Sequence, residues 1–281
     1  MKLLFVMHHY AAKAFYPIIN QQYFSARPEM AERRVLSLAE CINSIWRTFG
    51  GATDTIYRND QVSFKSLDVS NQIDVVVCVS EDKHIIDDLK ISSDLYRLSP
   101  VEQKIDPLLL GFAAQKVIAD ASGKYDYYCH IEDDLVFSDP LFFDKLSWFN
   151  KNVNPYDLLQ PNRMEIAGSK KCFIDGDAGC ITKGFQNKGP VNFPLPFLTR
   201  RINFLKPDNP YAGSYFLNQS QLDKLLESGH YNQSSPDYSW IGPLESSMCL
   251  SLLKTFTLYK PSLDSGFLEI QHYGDRYCGK I

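Results

Sequence analysis

Leu3 to Met7 is an unbroken apolar run bounded by polar residues, the pattern of a central parallel strand buried on both faces. A long loop is expected next, carrying His8, His9, Tyr10, Tyr16 and Arg27, and Pro28 then precedes an amphipathic helix. The helix's apolar residues, Val35, Leu38, Ile42, Ile45 and Phe49, recur at helical spacing, and Gly50-Gly51 close it. Thr53 to Tyr57 reads as a short strand and Ile73 to Val79 as a β-branched, buried one. Asp106 as N-cap and Pro107 in the first turn open a second helix. Leu109, Leu110, Ala113, Val117 and Ala121 mark its buried face, and Gly123 stops it. A strand from Tyr125 to Ile131 follows, then a helix capped by Ser138 or Asp139, started by Pro140 and packed through Leu141, Phe142, Leu146 and Phe149. Strand and helix alternate three times, which is a nucleotide-binding α/β pattern.

The second half is less regular. Tyr156 to Gln160 reads as a strand, and residues Asn162 to Pro196 as a loop-rich stretch where an acceptor could be gripped. Pro210 to Leu217 returns to an apolar strand with Gly213 inside it. Gln221 to Ser228 is a short helix closed by Gly229. Trp240 to Glu245 leads into a helix carrying Met248, Leu250, Leu252 and Leu253, and Gly266 to Gly274 forms a last apolar segment. No repeat, low-complexity tract or flexible linker divides the chain, so one domain over residues 1–281 is expected.

Composition narrows the function classes. With 44% apolar residues in 281, the chain can bury a full core. A net charge of -4 and the lack of any basic run exclude a nucleic-acid footprint and give no argument for an anionic membrane surface. No stretch approaches the apolar length that spans a bilayer, and the apolar start is too short for a signal peptide. Seven cysteines without a CxxC pair fit a reducing cytoplasm and argue against structural zinc. A natural membrane tether or a peripheral contact at the inner membrane face is compatible with all of this.

The candidate chemistry centres on Glu132-Asp133-Asp134, which the Tyr125 strand runs into directly. Adjacent carboxylates repel, and burying part of that charge is costly unless a cation or donors compensate. A hard divalent ion, Mn²⁺ or Mg²⁺, is the natural compensation and brings phosphates with it. The plain alternative is a solvated acidic turn, but ligand sites in open α/β sheets lie outside the carboxyl ends of strands. Glu245 stands just inside the start of a helix, where the helix dipole stabilises an anion; an ordinary first-turn charge is its plain reading. His272 closes an apolar segment and alone would be an ordinary surface or core residue. Together, carboxylates and a distant imidazole compose an octahedral site completed by phosphate oxygens.

The order of these motifs resembles a GT-A fold glycosyltransferase, in particular the inverting, metal-dependent β-1,4-galactosyltransferase kind. His130-Ile-Glu132-Asp133-Asp134-Leu-Val-Phe-Ser-Asp-Pro140 is similar to the D-x-D motif and its setting. Tyr211-Ala-Gly213-Ser-Tyr-Phe-Leu217 resembles the strand with adjacent small residues, and Trp240-Ile-Gly242-Pro-Leu-Glu245-Ser246 the W-G-x-E-D-like segment. His272 stands where the last metal ligand is placed. The resemblance spans most of the chain as motif order only. It implies a Rossmann-like GT-A fold, with a mixed central sheet flanked by helices. Residues 1–150 would bind the nucleotide-sugar, and an irregular half, 151–281, the glycan or glycoconjugate acceptor.

Carried over residue by residue, the resemblance makes Asp134 and His272 ligands of Mn²⁺ or Mg²⁺ and puts Glu132 on the ribose or the metal, with Asp133 beside it. It places the nucleotide base at His8 and Tyr10 and lets Arg33 or Arg34 reach a phosphate. Gly213 borders the donor, and Tyr211 and Trp240 stack on a sugar ring. Glu245 becomes the general base of a hexosyltransferase that acts with inversion, in a pathway of polysaccharide biosynthesis. Arg163 and Glu165 touch donor sugar or acceptor, and Asp175 and Asp177 are acidic loop residues of even standing.

Two departures matter: Ser246 replaces the second acid, and Ile241 replaces a glycine beside the tryptophan. They leave open a retaining enzyme in which Glu245 or Asp237 has another role. They also leave open a non-catalytic carbohydrate- or protein-binding relative. A sugar-nucleotide nucleotidyltransferase is disfavoured because His8-His9-Tyr10 stands where that class carries a glycine-rich loop. A two-metal phosphoesterase needs more acids and histidines at strand ends than the chain offers.

Overall fold

The computed structural model describes residues 1–11, 27–51, 53–58, 61–66, 71–80, 83–101, 106–175, 192–231, 236–237, 239–240 and 242–280. Strand β1 (Lys2–His9) leads, after a 3-10 turn at Pro28–Met30, to helix α1 (Ala31–Phe49). A hairpin of β2 (Thr53–Arg58) and β3 (Gln61–Ser66) precedes β4 (Gln72–Ser80) and β5 (Arg97–Val101). Then come α2 (Leu110–Asp120), β6 (Tyr127–Glu132), β7 (Leu135–Val136) and α3 (Phe142–Asn152). The second half holds β8 (Asp157–Leu159), β9 (Asn162–Ala167), β10 (Lys170–Phe173), β11 (Asn192–Phe197), β12 (Arg200–Leu205) and β13 (Ser214–Asn218). Helix α4 (Gln219–Glu227) follows. A last helical stretch comprises α5 (Pro243–Glu245), a π-helical turn at Ser246–Leu250 and α6 (Ser251–Thr255). Strands β14 (Thr257–Pro261) and β15 (Glu269–His272) come last.

The main sheet has the order β13-β6-β1-β4-β5, with β1 parallel to both β4 and β6 and only β13 antiparallel. This mixed sheet flanked by helices is the expected Rossmann-like α/β class. The continuous apolar run in β1 has a direct cause: each face of the strand meets a different core. Leu3, Phe5 and Met7 pack with Leu38, Ile42 and Ile45 of α1 and with Phe142 and Phe143 of α3. Leu4 and Val6 point the other way, to Ala114 and Ile118 of α2 and Leu222 and Leu225 of α4. Period-two alternation on a strand covered on both sides demands apolar residues at every position.

Two smaller sheets hold the second half, in the orders β10-β9-β15-β7 and β11-β12-β14-β8. The acidic triplet is the step between sheets: Glu132 ends β6 in the main sheet, and Leu135 begins β7 in the β10-β9-β15-β7 sheet.

Several elements differ from the sequence expectation. His8 and His9 belong to β1, not to a loop, because the parallel ladder continues through His9 opposite Val79. Residues 162–173, read as loop, form the β9–β10 hairpin, with Gly168 at φ 60° in its turn. The expected strand at Pro210 begins only at Ser214, after Gly213 turns the backbone at φ 60°. Helix α2 buries Phe112, Ala114 and Ile118, while Ala113 and Val117 are half-buried. It is wedged between the sheet and the π turn, where the Gln115 side-chain amide donates to the Ser247 carbonyl at 2.6 Å. Leu141, expected on the packed face, is exposed: it is itself the N-cap of α3, which has no side-chain cap. The Asp139 carboxylate accepts from the Leu141 N–H at 3.0 Å in the turn before the helix rather than capping it. Tyr16, Asp177 and Ile241 lie outside the described residues.

Phe143 is the hub of the aromatic core, with ring centroids 5.0 Å from Phe49 and Tyr127, 6.0 Å from Phe5 and 5.6 Å from Phe142. Phe143→Ala is expected to cost about 3–5 kcal/mol of stability. Urea unfolding would show it as a lower midpoint at unchanged slope; an unchanged midpoint would mean that this ring is not part of the close-packed core.

Candidate active site

Strand alternation and the tight turn after β6 send the three adjacent acids to three different partners. Glu132 turns toward Arg163 of β9, whose guanidinium contacts its carboxylate, and toward Tyr211, whose hydroxyl donates to it at 2.5 Å. Asp133 is buried against His9 and Arg34, both of which contact the same carboxylate oxygen. Asp134 faces His272, with Nε2 at 3.4 Å, and Arg34 at 3.5 Å. The antiparallel pairing of β15 with β7 sets His272 opposite Leu135, and the Tyr273 N–H donates to the Asp134 carbonyl at 2.8 Å. Residues far apart in the chain thus meet because β7 and β15 are neighbours in one sheet.

Arg163 is itself held from behind by two hydrogen bonds to Asp175, at 3.0 and 2.8 Å. Lys260 lies 4.0 Å from Asp175 and donates to the Tyr211 carbonyl at 2.5 Å. Gly213 is required here. A Cβ at that position would lie 2.5 Å from a Glu132 carboxylate oxygen and 2.7 Å from an Arg163 nitrogen, and φ 60° disfavours any side chain.

The three acids, Arg34, Arg163, Tyr211 and His272 line one cavity of about 280 Å³. His8 and Tyr10 come from the carboxyl end of β1, Arg33 and Arg34 from α1, and Glu132, Asp133 and Asp134 from the turn after β6. Arg163, Tyr211, Glu245 and His272 enclose it further, as do Tyr273, Arg276 and Tyr277 of the C-terminal turn. Of the residues singled out from sequence, Gly213 shapes the wall from behind, through Glu132 and Arg163. Trp240 stands apart from the cavity: it is fully buried, 6.4 Å from the Tyr211 ring, which it backs. Glu165 is also fully buried and reaches the site through His272 and the Tyr277 N–H. Ser246, in place of a second acid, is a latch: its hydroxyl donates to the Trp240 carbonyl at 2.6 Å and accepts from the Trp240 N–H at 3.1 Å.

Burial and charge set the proton affinities. Burial alone would raise Asp134, but the His272 imidazole and the two guanidinium groups override it and hold the carboxyl well below its usual range. Burial likewise opposes ionisation of Asp133, and Arg34 with His9 brings it below the ordinary value. For Glu132 burial prevails over Arg163 and raises the carboxyl. Glu245 is raised by burial too, and one of its oxygens lies buried without a hydrogen-bond partner. Burial would lower His272, yet the facing Asp134 raises it. His8 is pushed down to about 4 by burial, and its Nδ1 lies 3.3 Å from Nε2 of the buried His130.

Among the described residues, no group of three or more His, Cys, Asp and Glu side chains is arranged to hold a metal ion. Two donors are nonetheless disposed for one. Asp134 Oδ1 is buried without a partner, and the Nε2 of His272 faces the cavity side while its Nδ1 meets Glu165 at 2.9 Å. Two protein donors with further oxygens from a phosphate suit a hard divalent ion. Six cysteines are free thiols among the described residues, in keeping with the absence of a CxxC pair.

No family model matches the chain, and no curated protein matches it. Solved structures do match. One of them is residues 1–349 of S. aureus TarS, at 10% identity and a TM-score of 0.44, over 97% of this chain. This chain spans 60% of the length of that one. No helix among the described residues is long and apolar enough to cross a membrane.

Lys260, His130, Arg276 and Tyr277 carried no signal in the sequence. Lys260 and His130 sit inside apolar strands, and only the meeting of β6, β1 and β14 with the site gives them a role.

The lowered His8 gives a pH dependence of known sign. Its folded value lies below its ordinary 6.5, so on acidification the unfolded chain binds a proton that the folded chain refuses. Its share of stability is present above about pH 6.5 and is lost as the pH falls toward about 4. His8→Asn should therefore lose less stability than the native chain between about pH 7.5 and about pH 5, measured by urea midpoints. Equal losses in both proteins would show that His8 titrates alike in folded and unfolded chains.

Proposed function

We propose that this chain is a metal-dependent GT-A glycosyltransferase. It would move a hexosyl group from a nucleotide-sugar to a hydroxyl of a glycan or glycoconjugate, with inversion. The observation that supports this best is the meeting of Asp134, His272 and Glu245 on one cavity at the carboxyl ends of β1 and β6. That is where open α/β sheets bind their ligands.

Asp134 Oδ1 and His272 Nε2 are the donors that would hold Mn²⁺ or Mg²⁺. When bound, that cation supplies Lewis-acid charge to the departing nucleoside diphosphate. Arg34 and His9 engage Asp133, while Asp134 keeps one oxygen without a partner for the ligand. Arg163 and Tyr211 fix Glu132 against the wall that Gly213 leaves open, in position for a ribose or sugar hydroxyl. Tyr10 and His8 border the side of the cavity assigned to the base, and Arg33 the side assigned to phosphate. Trp240 acts by bracing Tyr211. Glu245 accepts the proton of the acceptor hydroxyl. Its burial raises its affinity for that proton and its unpartnered oxygen is free to take it. Residues 1–150 then serve mainly the donor and 151–281 the acceptor. The free thiols suit a reducing cytoplasm, with the acceptor met at the inner membrane face.

A panel of nucleotide-sugars with Mn²⁺, followed by release of nucleoside diphosphate, tests the reaction class; pyrophosphate exchange would indicate a nucleotidyltransferase, and no turnover a binding protein. Asp134→Ala is expected to abolish Mn²⁺-dependent binding of the nucleoside diphosphate in calorimetry, and unchanged affinity would remove Asp134 as ligand. Glu245→Gln should keep that binding while transfer falls roughly 10²- to 10⁴-fold. Undiminished transfer would exclude Glu245 as base and favour a retaining reaction.

A further inference from the structure

Glu165 is the most enclosed acid near the site, with no solvent exposure, yet it faces away from the cavity. Both of its oxygens are engaged. Oε1 lies 2.9 Å from Nδ1 of His272. Oε2 accepts two backbone N–H groups, from Tyr277 at 2.7 Å and Cys278 at 2.8 Å. A carboxylate that already accepts two amides can only accept from the imidazole as well, so Nδ1 carries a proton and Nε2 is the nitrogen turned toward Asp134. The same two amides fix the turn that carries Arg276 and Tyr277 into the cavity wall, and the Tyr277 ring packs 5.9 Å from that of His272.

We propose that Glu165 is a positioning residue with two linked tasks. It sets the tautomer and orientation of His272 for a divalent cation, and it pins the C-terminal turn that forms one side of the cavity. The second task makes the turn and the imidazole a single unit: loosening one oxygen's partners frees the other's. This rests on the reading of His272 as a metal ligand, so the test separates the two.

The first measurement needs neither a variant nor a metal. The ¹⁵N shifts of the His272 ring in the intact protein at neutral pH should report a protonated Nδ1 hydrogen-bonded to Glu165. Amide exchange should show Tyr277 and Cys278 protected. In Glu165→Ala both signatures should be lost. In Glu165→Gln, which has one acceptor oxygen in place of two, at least one should be lost while circular dichroism stays native. Mn²⁺ affinity, read by calorimetry without any substrate, should fall roughly tenfold to a hundredfold in the variants. A native His272 whose Nδ1 carries no proton would overturn the proposal. So would folded Glu165→Gln with both signatures and Mn²⁺ affinity unchanged. If the native protein shows the protonated Nδ1 and the protected turn but binds no Mn²⁺, the positioning of His272 stands and the metal reading falls.

Discussion

Buried negative charge at the carboxyl end of a parallel sheet is the constraint that the rest of this molecule answers. Three consecutive carboxylates leave β6, and each is met by a cation or donor from a different element: Arg163 from β9, Arg34 from α1, His272 from β15. Removing one partner from such a buried pair typically costs about 3–5 kcal/mol, because the charge left behind has no compensation. The second-half sheets can be understood in these terms. Strands β9 and β15 are paired with each other in parallel and carry Arg163 and His272 to the same turn.

The compensation is incomplete, and that has chemical meaning. Glu132, Asp133, Asp134 and Asp175 face Arg34, Arg163 and Lys260, and the histidines in between are mostly held neutral by burial. Among the three consecutive acids the oxygen left unsatisfied is Oδ1 of Asp134, the acid that His272 faces through its other oxygen. A site arranged this way is poised for a small hard cation and for the phosphates that accompany it, with its dipoles already fixed before any ligand enters. Glu245 stands on another wall of the same cavity with its proton affinity raised, suited to a role the ionised Asp134 cannot take.

Much of the first half was legible in the sequence because its elements declare themselves locally. The unbroken run of β1, the helical spacing in α1 and the acids after β6 each follow from the covering of that element alone. The second half resisted because its strands are short and half exposed, so no continuous apolar run stands out. In β11 and β12 exposed positions alternate with covered ones, in β9 only part of the strand is buried, and the β9–β10 turn is announced by a single glycine. The site was legible to the extent that acids and histidines are scarce enough to notice. What could not be read was direction. Nothing in Arg163-Met-Glu165 says that the arginine turns to the cavity side and the glutamate, two residues on, reaches instead for a histidine and two amides. Nor does the sequence reveal that Ser246 serves the Trp240 backbone, or that Lys260 ends beside Asp175.

The π-helical turn at Ser246–Leu250 has a consequence for how this site can change over time. Such a turn accommodates one residue more than an α-helix would in the same span. Glu245 lies immediately before it and α6 immediately after. Winding the same residues as regular α-helix would swing everything upstream around the axis by about 100°. The carboxylate would then leave the cavity and the Ser246 latch would lose the Trp240 loop, although every side chain in both would be intact. The wide turn is therefore a register lock: it absorbs one residue and keeps Glu245 on the cavity wall.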